Sequence, residues 1–330
     1  MPSSDQYRRI FVLGSGFSKS FCRSMPTLKD LNGRIPGDIG QECPAFRDYC
    51  FWLQELCHHQ PEYMEIESVA TSILSAQIFP GEQERLKHAL LRFELLRFIA
   101  NSMHRLAPLE IGDSLILSAF LESIKNESNK ASRDSLLLSF NYDTLIEDQI
   151  HQDPHLYETV SMDYGVTIES ADRSKQKIQR PYSIDLLKLH GSLNWYTVKG
   201  AGAELDLKNI CCVEPGDRSF PLYEHENPLF IPMAHAKESF LRGSLFNVLW
   251  AKADYYLSHA EELYVIGYGF PKTDGNNIPF LLKHRDRIRK VIVFENEGHT
   301  NLTRLQNLFG NEVVSSCDAK CFLKESFTNR

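Results

Sequence analysis

The stretch RIFVLGSGFS, residues 9–18, decides how this chain folds. After Arg9, four apolar residues run without a break and stop at Gly14-Ser15-Gly16, the pattern of a buried strand feeding a glycine turn. That is the opening of an α/β sheet. Phe17 and Ser18 carry the chain out of the turn.

Beyond it the periodicity changes. From about residue 44 to 126, apolar positions recur every three or four residues through FRDYCFWLQELC, EIESVATSILSAQIF, RLKHALLRFELLRFIANSM and GDSLILSAFLESI, which predicts about four helices. Residues 125–133 (KNESNKASR) have no apolar period and read as a loop returning the chain to the sheet. Strand chemistry resumes over 135–140, followed by Asn141-Tyr142-Asp143 and a helical TLIEDQI. A strand over 184–189 ends at His190-Gly191 and precedes a short β-prone SLNWYTV, while residues 200–227 read as loop or hairpin. A long helix is predicted over 239–259, and a strand over 262–266 ends in Gly267-Tyr268-Gly269. A helix over 275–285, a strand over 289–294 and a helix over 299–309 follow.

Strands alternating with helices imply parallel pairing. The fold class is therefore α/β, an open parallel sheet with helices on both faces and an inserted all-helical subdomain. The sheet domain is expected over 1–40 and 131–330, and the insertion over 41–130. No repeat of fixed period interrupts this scheme, and no Pro-, Gly- or Ser-rich linker separates independent domains.

Composition removes several function classes. With 36 Lys and Arg against 43 Asp and Glu the net charge is −7, and no block of like charge concentrates it, which argues against a nucleic-acid-coating protein. Residues 1–9 are polar, the apolar strip after them is too short for a signal peptide, and no run approaches the length of a membrane span. A cytoplasmic protein is expected. The 8 cysteines are dilute and form no Cys-x-x-Cys, so free thiols are expected and a zinc ribbon is not. Cys50 and Cys57 beside His58 and His59 could be ligands, but a helix carrying buried cysteines explains the spacing better.

In open parallel sheets ligands bind beyond the carboxyl ends of the strands, which directs attention to Gly14–Ser18, Asn141 and Asp143, His190 and Gly191, Gly267–Gly269, and Glu295 and Asn296. Gly14-x-Gly16 serves either as a tight strand-to-helix turn or as a turn whose backbone N–H groups receive a pyrophosphate. GxGxxG and GxxxxGK[ST] both require glycine where Lys19 stands, and GxSxG fits no serine. Ordinary hydride transfer, NTP hydrolysis and serine esterase chemistry lose weight accordingly. His190 is a lone polar ring following IDLLKL, with Gly191 leaving close access to it. Asp143 could cap the helix TLIEDQI through an Asx turn, a role compatible with catalysis.

Taken in order, these motifs resemble the sirtuins, and more closely the zinc-free sirtuin-like NAD-degrading domains of bacterial antiphage defence. Gly14-Ser-Gly-Phe-Ser18 with Met25-Pro26-Thr27 resembles the family's Gly-Ala-Gly-x-Ser loop and its proline turn. Asn141-Tyr-Asp143 is similar to its Gln-Asn-x-Asp segment, and His190-Gly191 to its catalytic His-Gly. Gly267-Tyr268-Gly269 falls at its Gly-x-Ser ribose and phosphate turn, and Glu295-Asn296 at its adenosine-contacting strand end. Ser15 replaces alanine, Gly269 replaces serine, Glu295 stands at the Asn position with Asn296 one place later, and the four-cysteine zinc module is absent.

The resemblance implies a Rossmann-like domain that takes NAD as substrate, without a metal, and hydrolyses it to nicotinamide and ADP-ribose. Asp143 would hold the carboxamide, Asn141 would position water and a ribose hydroxyl, and His190, titrating near neutrality, would act as base. It also implies an NAD-depleting antiphage effector, homo-oligomeric, switched on by a helicase-like ATPase or an Argonaute-type sensor, with no direct nucleic-acid or membrane binding. A deacylase or ADP-ribosyltransferase, and a catalytically silent NAD- or ADP-ribose-binding module, are the alternatives.

Overall fold

A computed structural model describes residues 7–26, 28–35, 39–41, 43–57, 61–75, 82–104, 109–128, 133–170, 180–197, 210–213, 227–235, 237, 244–271, 274–275, 277–294 and 300–317. The first half comprises β1 (Arg9–Leu13), α1 (Ser15–Phe21), α2 (Leu28–Asn32), α3 (Pro44–Leu56), α4 (Ile66–Ser75), α5 (Glu82–His104), α6 (Ile111–Ile124), β2 (Asn126–Glu127), β3 (Ser135–Ser139), α7 (Leu145–Gln152), α8 (Pro154–Thr159) and β4 (Val160–Asp163). The second half comprises β5 (Glu169–Ser170), β6 (Tyr182–Lys188), β7 (Gly191–Thr197), β8 (Ile210–Cys212), β9 (Asn227–Phe230), α9 (Ser244–Leu257), β10 (Glu262–Ile266), α10 (Asn277–Leu282), β11 (Lys290–Phe294), α11 (Thr300–Phe309) and β12 (Val314–Cys317).

The main sheet has the order β12-β11-β10-β1-β3-β6-β2, with β4 also pairing with β6. β1 lies at its centre, parallel to β10 from Arg9↔Glu262 to Leu13↔Ile266 and to β3 from Arg9↔Ser135 to Leu13↔Ser139. Only the two-residue β2 runs antiparallel. The parallel, open α/β architecture read from the sequence is therefore the one observed. Successive strand residues point to opposite faces, and both faces are covered. Ile10, Val12, Leu136, Leu138, Leu263 and Val265 enter a core shared with α3, α4, α5 and α9. Phe11, Leu13, Leu137, Leu186, Tyr264 and Ile266 enter a second core with α1, α6 and α7. Double burial explains why these strands read as continuous apolar runs.

The predicted helical stretch is divided between these two cores. The helices α3 and α4 pack on α5, and α5 reaches β9, whereas α6 packs on α1 and α7. Cys50 is fully buried in α3, and burial pushes its thiol up to about 12; His58 and His59 lie outside the described residues.

Several boundaries differ from the sequence reading. Of the helix predicted over 239–259, residues 239–243 lie outside the described residues, and the helix is observed over Ser244–Leu257. β2 interrupts the expected loop over 125–133, held by Asn126, whose side chain donates to the Ser135 carbonyl and to Asp185 and accepts from the Asp134 and Ser135 N–H groups. The SLNWYTV strand belongs to a second sheet of order β5-β8-β7-β9, and β8, within the segment expected to be loop or hairpin, pairs antiparallel with β7 in keeping with the hairpin alternative. Among the described residues, no helix is long and apolar enough to cross a membrane.

Candidate active site

The carboxyl ends of β1, β3, β6 and β10 open on one cavity of about 220 Å3. The chain leaves β1 toward β3 on one side and returns through β10 on the other, so the cavity lies where the strand order reverses. Ser15, Asn141, Asp143, His190, Tyr268 and Gly269 of the predicted set line it, as do Met25 and Pro26. The amide at 141 and the imidazole at 190 thus face a common space.

Other predicted residues build its walls. A Cβ on Gly14 would lie 2.4 Å from the Tyr268 Cα, one on Gly16 would lie 2.8 Å from the Gly267 Cα, and one on Gly267 (φ +62) would lie 2.1 Å from the Phe17 nitrogen. These glycines let the β1 and β10 turns touch through their backbones. Gly14 N–H donates to the Ile266 carbonyl, Gly16 N–H to that of Gly267, and Phe17 N–H to that of Gly14. Three of the backbone donors of this turn, those of Gly14, Gly16 and Phe17, are therefore engaged within the turn pair. The Phe17 side chain packs on Phe21 and Phe120 on the opposite face of the sheet. Gly191 (φ +79) presses its α-carbon side against the Leu229 carbonyl and Phe230, fixing the turn that presents His190. Glu295 and Asn296 lie outside the described residues.

Ser18 connects the polar groups after β1 and β3. Asn141 Nδ2 donates to the Gly14 carbonyl at 2.8 Å and to Ser18 Oγ at 2.9 Å, and Ser18 Oγ donates to Asp143 Oδ2 at 2.8 Å. The other oxygen, Asp143 Oδ1, accepts from Leu145 N–H at 3.2 Å, the expected Asx turn. The helix N-cap itself is Thr144, one residue later than the sequence reading placed it. Burial pushes the Asp143 carboxyl up, although the Lys188 charge and the Ser18 bond oppose this. Lys188 is almost fully buried, donating to the Asp143 carbonyl at 2.5 Å and pairing with Glu147 at 2.9 Å. It anchors the segment that carries Asn141 and Asp143.

His190 lies edge-on to Phe140 at 5.2 Å and is 4% exposed. Burial, followed by the nearby Lys237 charge, lowers its pKa to about 4, against smaller raising effects from Asp274 and the Phe140 backbone. The expectation that it titrates near neutrality is thus corrected: a low-dielectric pocket disfavours the charged ring. Lys237 and Asp274, both on the cavity wall and ion-paired, were missed by the sequence reading. Neither lies in a periodic element, and the signal that could have exposed Asp274 is its place just beyond the glycine turn at 267–269. Tyr268 stacks on Phe140 at 4.5 Å and donates its hydroxyl to Asp274 Oδ2 at 2.7 Å.

No group of three or more His, Cys, Asp or Glu side chains suited to a metal occurs among the described residues.

No protein-family model matches the chain, and no curated protein matches it. Among solved structures it is similar to a Sir2 homologue in complex with NAD, with 15% identity and a TM-score of 0.41 over 97% of this chain and 87% of that one. It is also similar to a mutant Sir2 homologue in complex with 2′-O-acetyl ADP ribose, with 14% identity and a TM-score of 0.39 over 98% and 92% of the two chains. A further mutant Sir2 homologue, in complex with ADP ribose, has 13% identity and a TM-score of 0.38 over 98% and 94%.

Proposed function

We propose that this chain hydrolyses NAD+ to nicotinamide and ADP-ribose. The observation that carries the reading is that Asn141, Asp143 and His190 share one cavity at the switch point of a parallel sheet. At about 220 Å3 the cavity is smaller than the roughly 300–1,000 Å3 of sites that enclose a whole small-molecule ligand. It suits the nicotinamide and its ribose, with the remainder of the dinucleotide extending outward past Ser15 and Gly269. A methyl group at Gly269 would meet nothing within 4 Å, which leaves room for that passage.

Breaking the nicotinamide ribosyl bond sends its electron pair onto the pyridine nitrogen, so the leaving group departs neutral and needs no strong acid. The ribose carbon becomes oxocarbenium-like, and water adds to it. In this reading Asn141 orients the water or a ribose hydroxyl, and Asp143 faces the carboxamide from a carboxylate fixed by Ser18 and Leu145. His190, uncharged at neutral pH, accepts the water proton and later releases it to solvent. A ring of such low proton affinity is a weak base, which fits water that acidifies as it bonds to a cationic carbon. No metal enters the scheme.

The decisive experiment is incubation of the purified protein with NAD+ and chromatographic measurement of nicotinamide and ADP-ribose. His190→Ala and Asn141→Ala are each expected to abolish NAD+ loss while remaining folded, and turnover in either folded variant contradicts the assignment. Acyl-lysine peptides in the same assay test the deacylase alternative, and binding without product identifies a silent module.

The antiphage resemblance further implies an effector whose activity is switched on by assembly. The exposed Phe51, Trp52 and Leu56 on α3 and Leu86 and Leu90 on α5 support an assembly face on the helical segment, with a second copy of the chain as its first occupant. Turnover per chain that does not rise with protein concentration would oppose this.

A further inference from the structure

His190 sits beside more charge than the proposed hydrolysis uses. Its Nε2 lies 3.8 Å from Asp274 Oδ1. Lys237 Nζ donates to that same oxygen, and the Tyr268 hydroxyl donates to Oδ2 while accepting from Asn277 Nδ2. All of these side chains are buried, and His190, Lys237, Asp274 and Tyr268 all line the cavity. An ion pair here costs desolvation of both charges, yet the Lys188–Glu147 pair already secures the neighbouring segment.

Resting on the hydrolase reading, we infer that Lys237 and Asp274 are a positioning pair for His190: the lysine keeps the ring uncharged before turnover, and the carboxylate accommodates the imidazolium formed when the ring takes the proton of the attacking water. The geometry supplies both halves. A carboxylate alone beside a buried imidazole would favour the charged ring, and a lysine seated on that carboxylate cancels the effect. Once the water oxygen has bonded to the ribose carbon and the ring has gained its proton, that new charge finds Asp274 at 3.8 Å.

The surroundings contain no stronger competitor among the described residues. Phe140 and Trp250 present rings to His190, and Tyr142 presents a phenol that burial, then Asp274 and Glu67, push far up, so it stays neutral. Glu67 and Asp143 also line the cavity. Burial pushes the Asp274 carboxyl up, but the His190 ring when it carries a proton, then Lys237, and the hydrogen bonds from Lys237 and Tyr268 hold it below its ordinary value.

The pair makes opposite predictions for its two members, readable without substrate. Proton NMR titration of the full chain, with the His190 resonance identified by its absence in His190→Gln, reports the ring directly. Lys237→Met is expected to raise the His190 pKa by about one unit or more, and Asp274→Asn to lower it. Lys237→Arg, which keeps the charge, should restore the wild-type value. Either single variant that folds decides the matter; an unmoved ring in a folded variant overturns the inference. In the NAD+ assay the acid limb of the rate should move with the NMR value in Lys237→Met. If the NMR shifts appear and the wild-type chain releases no nicotinamide, the hydrolase reading fails and the electrostatic pairing stands.

Discussion

The Ser18 hydroxyl donates to Asp143 Oδ2 at 2.8 Å across 125 residues of chain, and the same oxygen of Ser18 accepts from Asn141. One small side chain on α1 therefore sets the orientation of two cavity-lining groups that follow β3. Ser18→Ala leaves Asp143 with one fewer donor and leaves the Asn141 amide held by the Gly14 carbonyl without the Ser18 hydroxyl. Loss of a buried hydrogen-bond partner costs about 1–3 kcal/mol, which thermal denaturation should detect. Nicotinamide release should fall roughly 10- to 100-fold, as for other losses of an outer support to a site. Unchanged turnover would show that the orientation of Asn141 and Asp143 is immaterial to the reaction.

Gly267 and Gly269 are two residues apart and should respond oppositely to one methyl group. At Gly267 the φ of +62 and a Cβ 2.1 Å from the Phe17 nitrogen combine backbone strain with a clash between the turns. Gly267→Ala is expected to cost about 2–4 kcal/mol by urea denaturation. Gly269→Ala meets open space, so its stability should stay within about 0.5 kcal/mol of wild type. Because Gly269 lines the cavity, its methyl should raise the KM for NAD+. Equal destabilisation by both changes would refute the described turn contact.

Lys188 and Glu147 test whether the buried ion pair is needed as a pair. Each is about 1% exposed, and Lys188 also donates to the Asp143 carbonyl. Lys188→Met strands the Glu147 carboxylate in the core, at a cost of about 3–5 kcal/mol. Adding Glu147→Leu removes the stranded charge, so the double variant should recover most of that loss in a denaturant-based double-mutant cycle. Additive losses would mean that each residue acts independently.

The strands were legible because burial on both faces turns them into uninterrupted apolar runs such as IFVL and LLL, each closed by a glycine or a polar residue. For the same reason Asn141 and His190 could be picked out, as polar residues immediately after a strand. β12, with the sequence VSSC, carries no such run, and the second sheet is assembled from short strands that only long-range pairing defines. Lys188 lies within the strand IDLLKL, and nothing local shows that it is buried against Glu147, 41 residues away. Lys237 and Asp274 are 37 residues apart, both outside any periodic element, and nothing local announces their pairing. The low proton affinity of His190 follows from that hidden lysine and from burial, which is why its sequence position alone pointed to the wrong pH.

That corrected value fixes the sign of two pH effects. The ordinary imidazole value is 6.5 and the folded value about 4, so between them the unfolded chain binds a proton that the folded chain does not. The His190 contribution to stability is therefore fully present above about 6.5, declines as pH falls through that window, and is lost below about 4. The difference corresponds to about 3 kcal/mol at 1.36 kcal/mol per unit. His190→Gln lacks this component, so the stability gap between wild type and variant, measured by urea denaturation at pH 7 and at pH 4, should narrow or reverse in the variant's favour by about that amount. The uncharged ring is also the catalytic form, so nicotinamide release should persist below pH 6 and fall along an acid limb near 4. A limb near 6.5, together with a stability gap that does not change with pH, would show that His190 titrates as an ordinary imidazole and overturn the low value, while leaving its role as base intact.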